Sequence, residues 1–468
     1  LPFVIDYEDA MQPGAPIIHP AITPTNVLPE DTFGGPDVFV ERGDVEAAFA
    51  EADAIVEVDS RHHNPTQGSL DAWCCVVDWK GDTLNLWSNS YAAVQSRMHL
   101  SQMLEIPLHK VRAVSYYVGG QFGRGDTGDQ PFFIFTALLA KKAGRPVKYK
   151  HTRRDSFHDT RQSVDYHGKA ALRKDGTIAA LSFKAFGNAG AHADHSVSAL
   201  KFVPTEIVEV ALAPIRNLRM EAYVVYTDRI PGCMMRGIGN SQFNFALCLL
   251  LDAVAERLDM DPIEVAIKNF GHEWGEIPDK SLRAVLYEGA RRVDWHQRHR
   301  PGEGPLIDGA RKRGIGFSFH PAWHAEWQEV KRGVVQVNLT LHPDLTVTLD
   351  APTVETGTGS NTCNVLGCAE ALSFLGIGPD DISWVAPVDT DRGIRDCVQT
   401  DSAVSYLQSE VMSWGAKELK RRLIDVAAPL MGADPAELDI ADGMVVCRTD
   451  DQRAMSLKDV MWRGDLGS

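Results

Sequence analysis

The apolar positions of this chain recur at two spacings. Between Gln242 and Leu258 they fall at 243, 246, 247, 250, 251, 254 and 258, the step of a helix with one buried face. Asp261-Pro262 follows at once, an N-cap residue with proline in the first turn, so a second helix begins there. Alternating or short apolar runs predict strands at 54–60, 72–78, 83–88, 111–118, 147–150 and 218–226. Residues 168–172 and 178–187 predict a hairpin around Lys174-Asp175-Gly176. Helices are expected at 44–53 with Asp44 as N-cap, at 92–105, and at 131–143 with Pro131 in its first turn. In the second half, strands are expected at 314–320, 334–341, 345–349 and 382–388. Helices are expected at 363–375, closed by Gly376, at 404–427 and at 457–462. Residues 7–42 are rich in proline and glycine without periodicity and read as an extended linker. Residues 1–6 read as the middle of a strand, and 296–312 as a domain boundary.

One device recurs along this pattern. The apolar run 111–118 stops at Gly119-Gly120, then Phe122 and Gly123, before the helix at 131. Arg236-Gly237-Ile238-Gly239 precedes the helix at 242, and Glu355-Thr356-Gly357-Thr358-Gly359 precedes the helix at 363. A glycine turn ahead of a helix brings main-chain N–H groups close to a ligand and aims them at negative charge. Three such turns point to a large polyanionic ligand. No tandem repeat at a fixed period is present.

Composition narrows the classes. A chain of 468 residues makes roughly two to four domains with ample core. A net charge of −16 argues against wrapping nucleic acid or lying on an anionic membrane. No apolar run approaches a membrane span, and the start carries no signal-peptide pattern. The eight cysteines form no C-x-x-C pair, which disfavours zinc ribbons and local iron–sulfur motifs and fits reduced thiols in a cytoplasmic protein.

Other chemistry-bearing residues have plainer readings. His320 and His324, with Glu326 and Glu329, have metal-ligand spacing, but Pro321 breaks the helix that would align them. His192-Ala193-Asp194-His195 reads as a hydrogen-bonded loop, and His62-His63 as the loop end of a strand. Cys74-Cys75 point to opposite faces of a strand. Asp389 and Asp391 read as turn caps. Arg236, an arginine beside glycines, suits a phosphate or carboxylate.

The order Leu-Trp-Ser (86–88, with Tyr91 closing the motif), Gly-Gly-x-Phe-Gly (119–123), Arg-Gly-x-Gly (236–239), Asp-Pro-Ile-Glu (261–264), Glu-x-Gly-x-Gly (355–359) and Asp-Thr-Asp (389–391) resembles the large subunit of molybdenum hydroxylases. This is the xanthine dehydrogenase and aldehyde oxidoreductase family, which includes carbon monoxide dehydrogenase. The resemblance implies an α+β fold of two mixed α/β molybdenum-cofactor-binding domains with the cofactor between them. Residues 43–300 would be the first, 301–468 part of the second, and 1–42 a linker or the remnant of a preceding domain. It further implies a molybdopterin cofactor carrying molybdenum, in bacteria often as the cytosine dinucleotide. Gly119, Gly120, Gln121, Phe122 and Gly123 would line the metal's oxo face. Arg236 and Gly237 would lie beside the pterin and the substrate pocket, and Gly357, Thr358 and Gly359 would meet the pterin or its phosphates. The cofactor binds the metal, so no protein ligands to it are required. Electrons would pass to a [2Fe-2S] centre and FAD on an iron–sulfur subunit and an FAD subunit.

The departures are specific. Gln121 stands where the family has a third glycine, and Tyr91 where it has glutamine near the apical oxo group. Ile238 replaces an aromatic residue, Thr358 a glutamine, and Gly68-Ser69-Leu70 the usual Met-Glu-Pro. Asp126 falls where purine-oxidising members carry a pocket glutamate. Tyr91, Asp126 and Ile238 would therefore shape the substrate pocket. The glutamate that acts as general base in the family has no counterpart here, so the catalytic residue is unassigned and a further chain is expected to complete the molybdenum site. The expected activity is oxidation or hydroxylation of an aldehyde, aromatic or N-heterocyclic small molecule with water as oxygen source. Positions 91 and 121 keep two alternatives in play: a hydratase/dehydrogenase of cyclic enones or alcohols, and a cofactor-free structural subunit.

Overall fold

The computed structural model describes residues 2–29, 37–123, 130–158, 160–193, 196, 198–202, 204, 207–208, 211–271, 278–299, 303–304, 306–309, 311–320, 335–393, 399 and 404–465. Helices and strands intermix, and the chain forms two compact units.

The first unit comprises Leu1–Gln67 and His158–Trp323. Its centre is a five-stranded sheet in the order Val38–Arg42, Asn217–Tyr226, Ile178–Gly190, Val164–Leu172, Ala54–His62. The expected hairpin is present, with Ala171 opposite Ala180, and Ile178–Gly190 runs parallel to Asn217–Tyr226. Helix Asn240–Leu258 buries Phe243, Leu247, Leu250, Leu251 and Val254 in one core with Leu181, Phe183 and Leu218. Each such side chain contributes about 2 kcal/mol by leaving water.

The next helix, Pro262–Asn269, begins where Asp261-Pro262 predicts. The Asp261 carboxylate accepts from the Ile263 N–H at 2.8 Å, from Trp295 Nε1 at 2.9 Å, and pairs with Arg298 at 2.8 Å. Asp261→Ala is expected to lower the unfolding free energy by about 2 kcal/mol, read from the urea midpoint, because cap and indole partner go together.

Residues 7–42 are not a free linker. Val4, Tyr7 and Ala10 are buried with Val225, and the Tyr7 ring stacks on Phe186 at 5.2 Å. Val4 exchanges both backbone hydrogen bonds with Asp228, through the latter's side chain and its N–H. Val38–Arg42 pairs antiparallel with Asn217–Tyr226. The prolines cut this segment into pieces too short to show a period, although among the described residues 4–10, 27–28 and 38–42 each meet the sheet. Residues 314–320 form no strand either. Phe317 and Phe319 stack at 6.2 Å, and Phe317 meets Trp295 edge-on, so their alternation serves side-chain packing without a ladder.

The second unit comprises Gly68–Phe157 and His324–Ser468. One part is a five-stranded sheet in the order Val388–Asp389, Val111–Ser115, Thr83–Ser88, Cys74–Lys80, Val147–Lys150, with helix Pro131–Ala143 packed on it. The other part joins hairpin Asn338–Leu341/Val347–Asp350 and strand Ile382–Trp384 to helices Ser360–Ala371 and Val404–Met431. A three-stranded sheet, Leu438–Ala441, Met444–Cys447 and Asp450–Ser456, and helix Leu457–Asp465 close that core.

The run 382–388 is thus two strands in two sheets. Pro387, which cannot donate to a ladder, lies between them. Because Val354 and Val388 share a core with Trp73, Leu86 and Phe133, residues 68–157 pack with the second half of the chain, across the linear boundary near 300. Among the described residues no helix is long and apolar enough to cross a membrane.

Candidate functional site

The three glycine turns are present, and each uses left-handed backbone. Gly120, Phe122 and Gly123 have φ of +94°, +55° and +99°, Gly237 and Gly239 +77° and +71°, and Gly357 and Gly359 +91° and +78°. A residue with Cβ is strained there, and Phe122 is the one that bears it.

In the second unit the first turn leaves strand Val111–Ser115 and is held by an acid. Asp71 Oδ2 accepts from the Gly119 N–H at 2.7 Å, and a Cβ at 119 would lie 2.6 Å from that carboxyl carbon. The Phe122 ring lies over Gly120, where a Cβ would meet it at 2.9 Å, and is itself partly exposed. Gln121 points inward. Its Nε2 donates to the Asn89 carbonyl at 2.7 Å, while its buried Oε1 has no partner among the described residues. Asn89 ties this loop down by accepting from the Cys74 N–H at 3.0 Å and donating to the Ala72 carbonyl at 3.0 Å. Tyr91, two residues on, is buried in the same core as Val118.

The turn at 355–361 stands next to it, since the Val118 N–H donates to the Glu355 carbonyl at 2.9 Å. Its N–H groups are already engaged. Glu355 Oε1 accepts from Gly357 at 2.8 Å and Gly359 at 2.9 Å, and Oε2 from Asn361 at 3.1 Å. Burial pushes this carboxyl up, but the N–H groups of Gly359, Asn361, Gly357 and Thr358 outweigh it and hold the pKa below the ordinary value. What this turn presents outward is a hydroxyl pair, Thr358 Oγ1 and Ser360 Oγ, 2.6 Å apart.

The first unit holds the third turn, and among the described residues no acid bonds to it. Arg161 is buried, at 5% exposure, beneath residues 235–241. Its guanidinium donates to the carbonyls of Met235 and Arg236 and to Ser241 Oγ, while Nε is unpaired. Burial, then the like charge of Arg236, pull its pKa down. Around it lie fully buried Gln162, neither of whose amide atoms is bonded among the described residues, and Gln242, whose Nε2 likewise has no partner among them. Gly232 packs on Gln162, where a Cβ would meet that side chain at 2.5 Å. The Arg236 side chain is exposed, and Ile238 packs partly into the core.

The remaining candidates resolve simply. Asp389 binds Arg112 through two nitrogens at 3.1 and 2.5 Å and caps the Asp391 N–H at 3.0 Å, so the Asp-Thr-Asp motif is a clamp on strand Val111–Ser115. Cys75 is buried and its thiol is pushed up to about 11, chiefly by desolvation. His192 lies 5.6 Å from the His19 ring, whose Nε2 meets the Ala191 carbonyl at 2.6 Å. His62 Nδ1 sits 2.9 Å from the carbonyl of His63. Asp126, Asp194, His195, His324, Glu326 and Glu329 lie outside the described residues. Among the described residues no three metal-ligating side chains assemble.

Sequence reasoning missed Asp71, Arg161 and Gln162, which lie far along the chain from the turns they serve. Glu355, two residues before Gly357, carried the one local signal, that of a short acidic side chain reaching forward to turn N–H groups.

Two family models, each described as a molybdopterin cofactor-binding domain, match residues 29–270 and 288–466. The chain is 27% identical over 375 residues to a xanthine dehydrogenase molybdenum-binding subunit of Escherichia coli, covering 78% of this chain and 48% of that one. It is 26% identical over 457 residues to an aldehyde oxidoreductase molybdenum-binding subunit of Escherichia coli, covering 94% and 57%. It therefore spans about half the length of the curated relatives it matches. In fold it resembles quinoline 2-oxidoreductase from Pseudomonas putida, with a TM-score of 0.79 at 18% identity over 98% of this chain and 59% of that one. With both of its glycine-turn units matched in this way, the chain belongs to the molybdopterin cofactor-binding family of the xanthine dehydrogenase and aldehyde oxidoreductase molybdenum-binding subunits.

Proposed function

We propose that this chain is the molybdenum-cofactor-binding part of a multi-subunit, molybdenum hydroxylase-type oxidoreductase. Its small-molecule substrate would be an aldehyde, an aromatic or an N-heterocycle, with water as the oxygen source. The residues fit such a guest. Among the described residues a buried carboxamide oxygen at Gln121, the Nε of buried Arg161 and both amide atoms of Gln162 lack partners, although polar groups of this kind are normally satisfied. When bound, the cofactor supplies the redox chemistry, and the protein supplies binding, orientation and electrostatics. Gly119–Gly123, Gln121 among them, would hold its polar edge, and Arg236 is a further candidate cofactor contact. The Thr358 and Ser360 hydroxyls, more than the N–H groups beneath them, would be the donors at 357–359.

The observation that carries the reading is the set of buried polar atoms left unbonded at glycine turns in a family-matched chain. Co-purification with iron–sulfur and FAD subunits is the expected arrangement in the cytoplasm. The cytosine dinucleotide is the expected cofactor form. Elemental analysis of the purified complex is the test. Near-stoichiometric molybdenum with a released pterin is expected, and a metal-free, pterin-free complex would leave only a structural subunit. The second reading, hydration and dehydrogenation of cyclic enones, is favoured by one observation: Tyr91 and Gln121 are both buried in place of the family's amide and glycine. Addition of water to an enone without any electron acceptor, with the acceptor needed only for the dehydrogenation, would select it.

A further inference from the structure

Seven lysines and arginines and no acid lie within the fourteen residues 141–154, in a chain whose net charge is −16. Other basic runs are neutralised where they stand. Glu288 pairs with Arg291 and Arg292 at 2.7 and 2.8 Å, Glu418 with Arg421 and Arg422 at 2.7 and 2.8 Å, and Asp439 with Lys420 at 2.7 Å. Within 141–154, Lys141 stands over the Trp79 ring at 4.9 Å, and Arg153 donates to the carbonyls of Ser69 and Leu70. Lys142, Arg145, Lys148, Lys150 and Arg154 are exposed and have no carboxylate partner among the described residues.

The segment runs out of helix Pro131–Ala143, which buries Phe132, Phe133, Ala137 and Ala140 in the core of its sheet. Its opposite face is apolar too. Phe135, Leu138 and Leu139, at helical spacing, are 62%, 51% and 56% exposed, and Lys142 continues the stripe one turn on. Scattered apolar side chains on a surface are ordinary, whereas three adjoining ones at the head of a cationic segment make a shaped patch. Strand Val147–Lys150 is the edge of the five-stranded sheet and pairs, among the described residues, with Cys74–Lys80 alone. Its two lysines would suffice to guard that edge against stray pairing. Edge protection does not account for Lys142, Arg145, Arg154 or the apolar stripe.

We infer that the outer face of helix Pro131–Ala143 and the cationic segment that follows it form a docking surface for a protein partner presenting carboxylates around an apolar centre. The apolar stripe supplies the contact that excludes water, and the cations select the partner and its orientation. A membrane or a nucleic acid spreads negative charge well beyond such a patch and would meet the acidic remainder of the chain. A protein can confine its carboxylates to the matching area. The inference goes beyond the cofactor reading and uses charge and shape alone.

The test is carbodiimide cross-linking of the purified complex, with the joined peptides identified by mass spectrometry. Amide bonds are expected from the amines of Lys142, Lys148 and Lys150 to carboxylates of a co-purifying chain, in a yield that falls as salt rises. The triple variant Lys142→Glu/Lys148→Glu/Lys150→Glu and, separately, Leu139→Ser should each lower the co-eluting partner about ten-fold in gel filtration. The urea midpoint should stay unchanged, because all four positions are exposed. Lys174→Glu, at an exposed cation of the first unit, should leave the partner bound. Lysines that acetylate equally in the complex and in the free chain would overturn the assignment, as would a chain that purifies without a partner. Cross-links to a second copy of this chain alone would overturn it as well, and so would binding of phosphatidylserine vesicles that the triple variant abolishes. Molybdenum content reports on the cofactor reading only, so a metal-free complex that still cross-links here refutes that reading and keeps this one.

Discussion

Phe243→Ala is expected to lower the unfolding free energy of the first unit by about 4 kcal/mol, the cost of a phenyl-sized hole in a close-packed core. Phe243 is fully buried and meets the Phe183 ring edge-on at 5.0 Å and the Tyr166 ring at 6.0 Å. Both partners come from strands of the central sheet, so this one ring anchors helix Asn240–Leu258 to it. Phe243→Leu keeps most of the volume and should cost only about 1.5 kcal/mol. Urea unfolding measured for both variants checks the ranking, and equal costs would mean that the ring is not the anchor.

Glu355→Ala is expected to cost about 3 kcal/mol at neutral pH, since it strands several N–H groups that a carboxylate now accepts. The pH dependence follows from the sign of the shift. The folded pKa lies below the ordinary 4.5, so the stabilisation is complete above 4.5 and is lost as pH falls through the lowered folded value. The gap between wild type and Glu355→Ala in urea midpoint should therefore be widest at neutral pH and close on acidification below 4.5. A gap that stays constant through that range would show that the carboxylate charge does not hold the turn.

Much of this architecture was legible in the chain. The seven apolar positions from 243 to 258 gave the helix its face, and Asp261-Pro262 gave the next helix its start. The glycine turns were legible because positive φ leaves few residue choices, and Gly120, Gly237, Gly239, Gly357 and Gly359 all use it. What those turns hold was not legible. Spacing reports backbone freedom, whereas the sign of the charge at each turn is set by Asp71, Glu355 and Arg161, and two of these arrive from distant segments. The long apolar run 382–388 misled for a related reason. It reads as one strand because both halves are buried, but in separate ladders. Residues 314–320 misled because aromatic stacking also spaces side chains by two.

The strand Val38–Arg42 has a consequence of its own. It is the outermost rung beside Asn217–Tyr226 and shields the backbone of residues 218–221 from solvent. A shortened version of this protein that discarded it would bare a row of amide and carbonyl groups able to recruit any extended peptide nearby. Recombinant designs that trim the proline-rich beginning for neatness would thereby trade solubility for self-association.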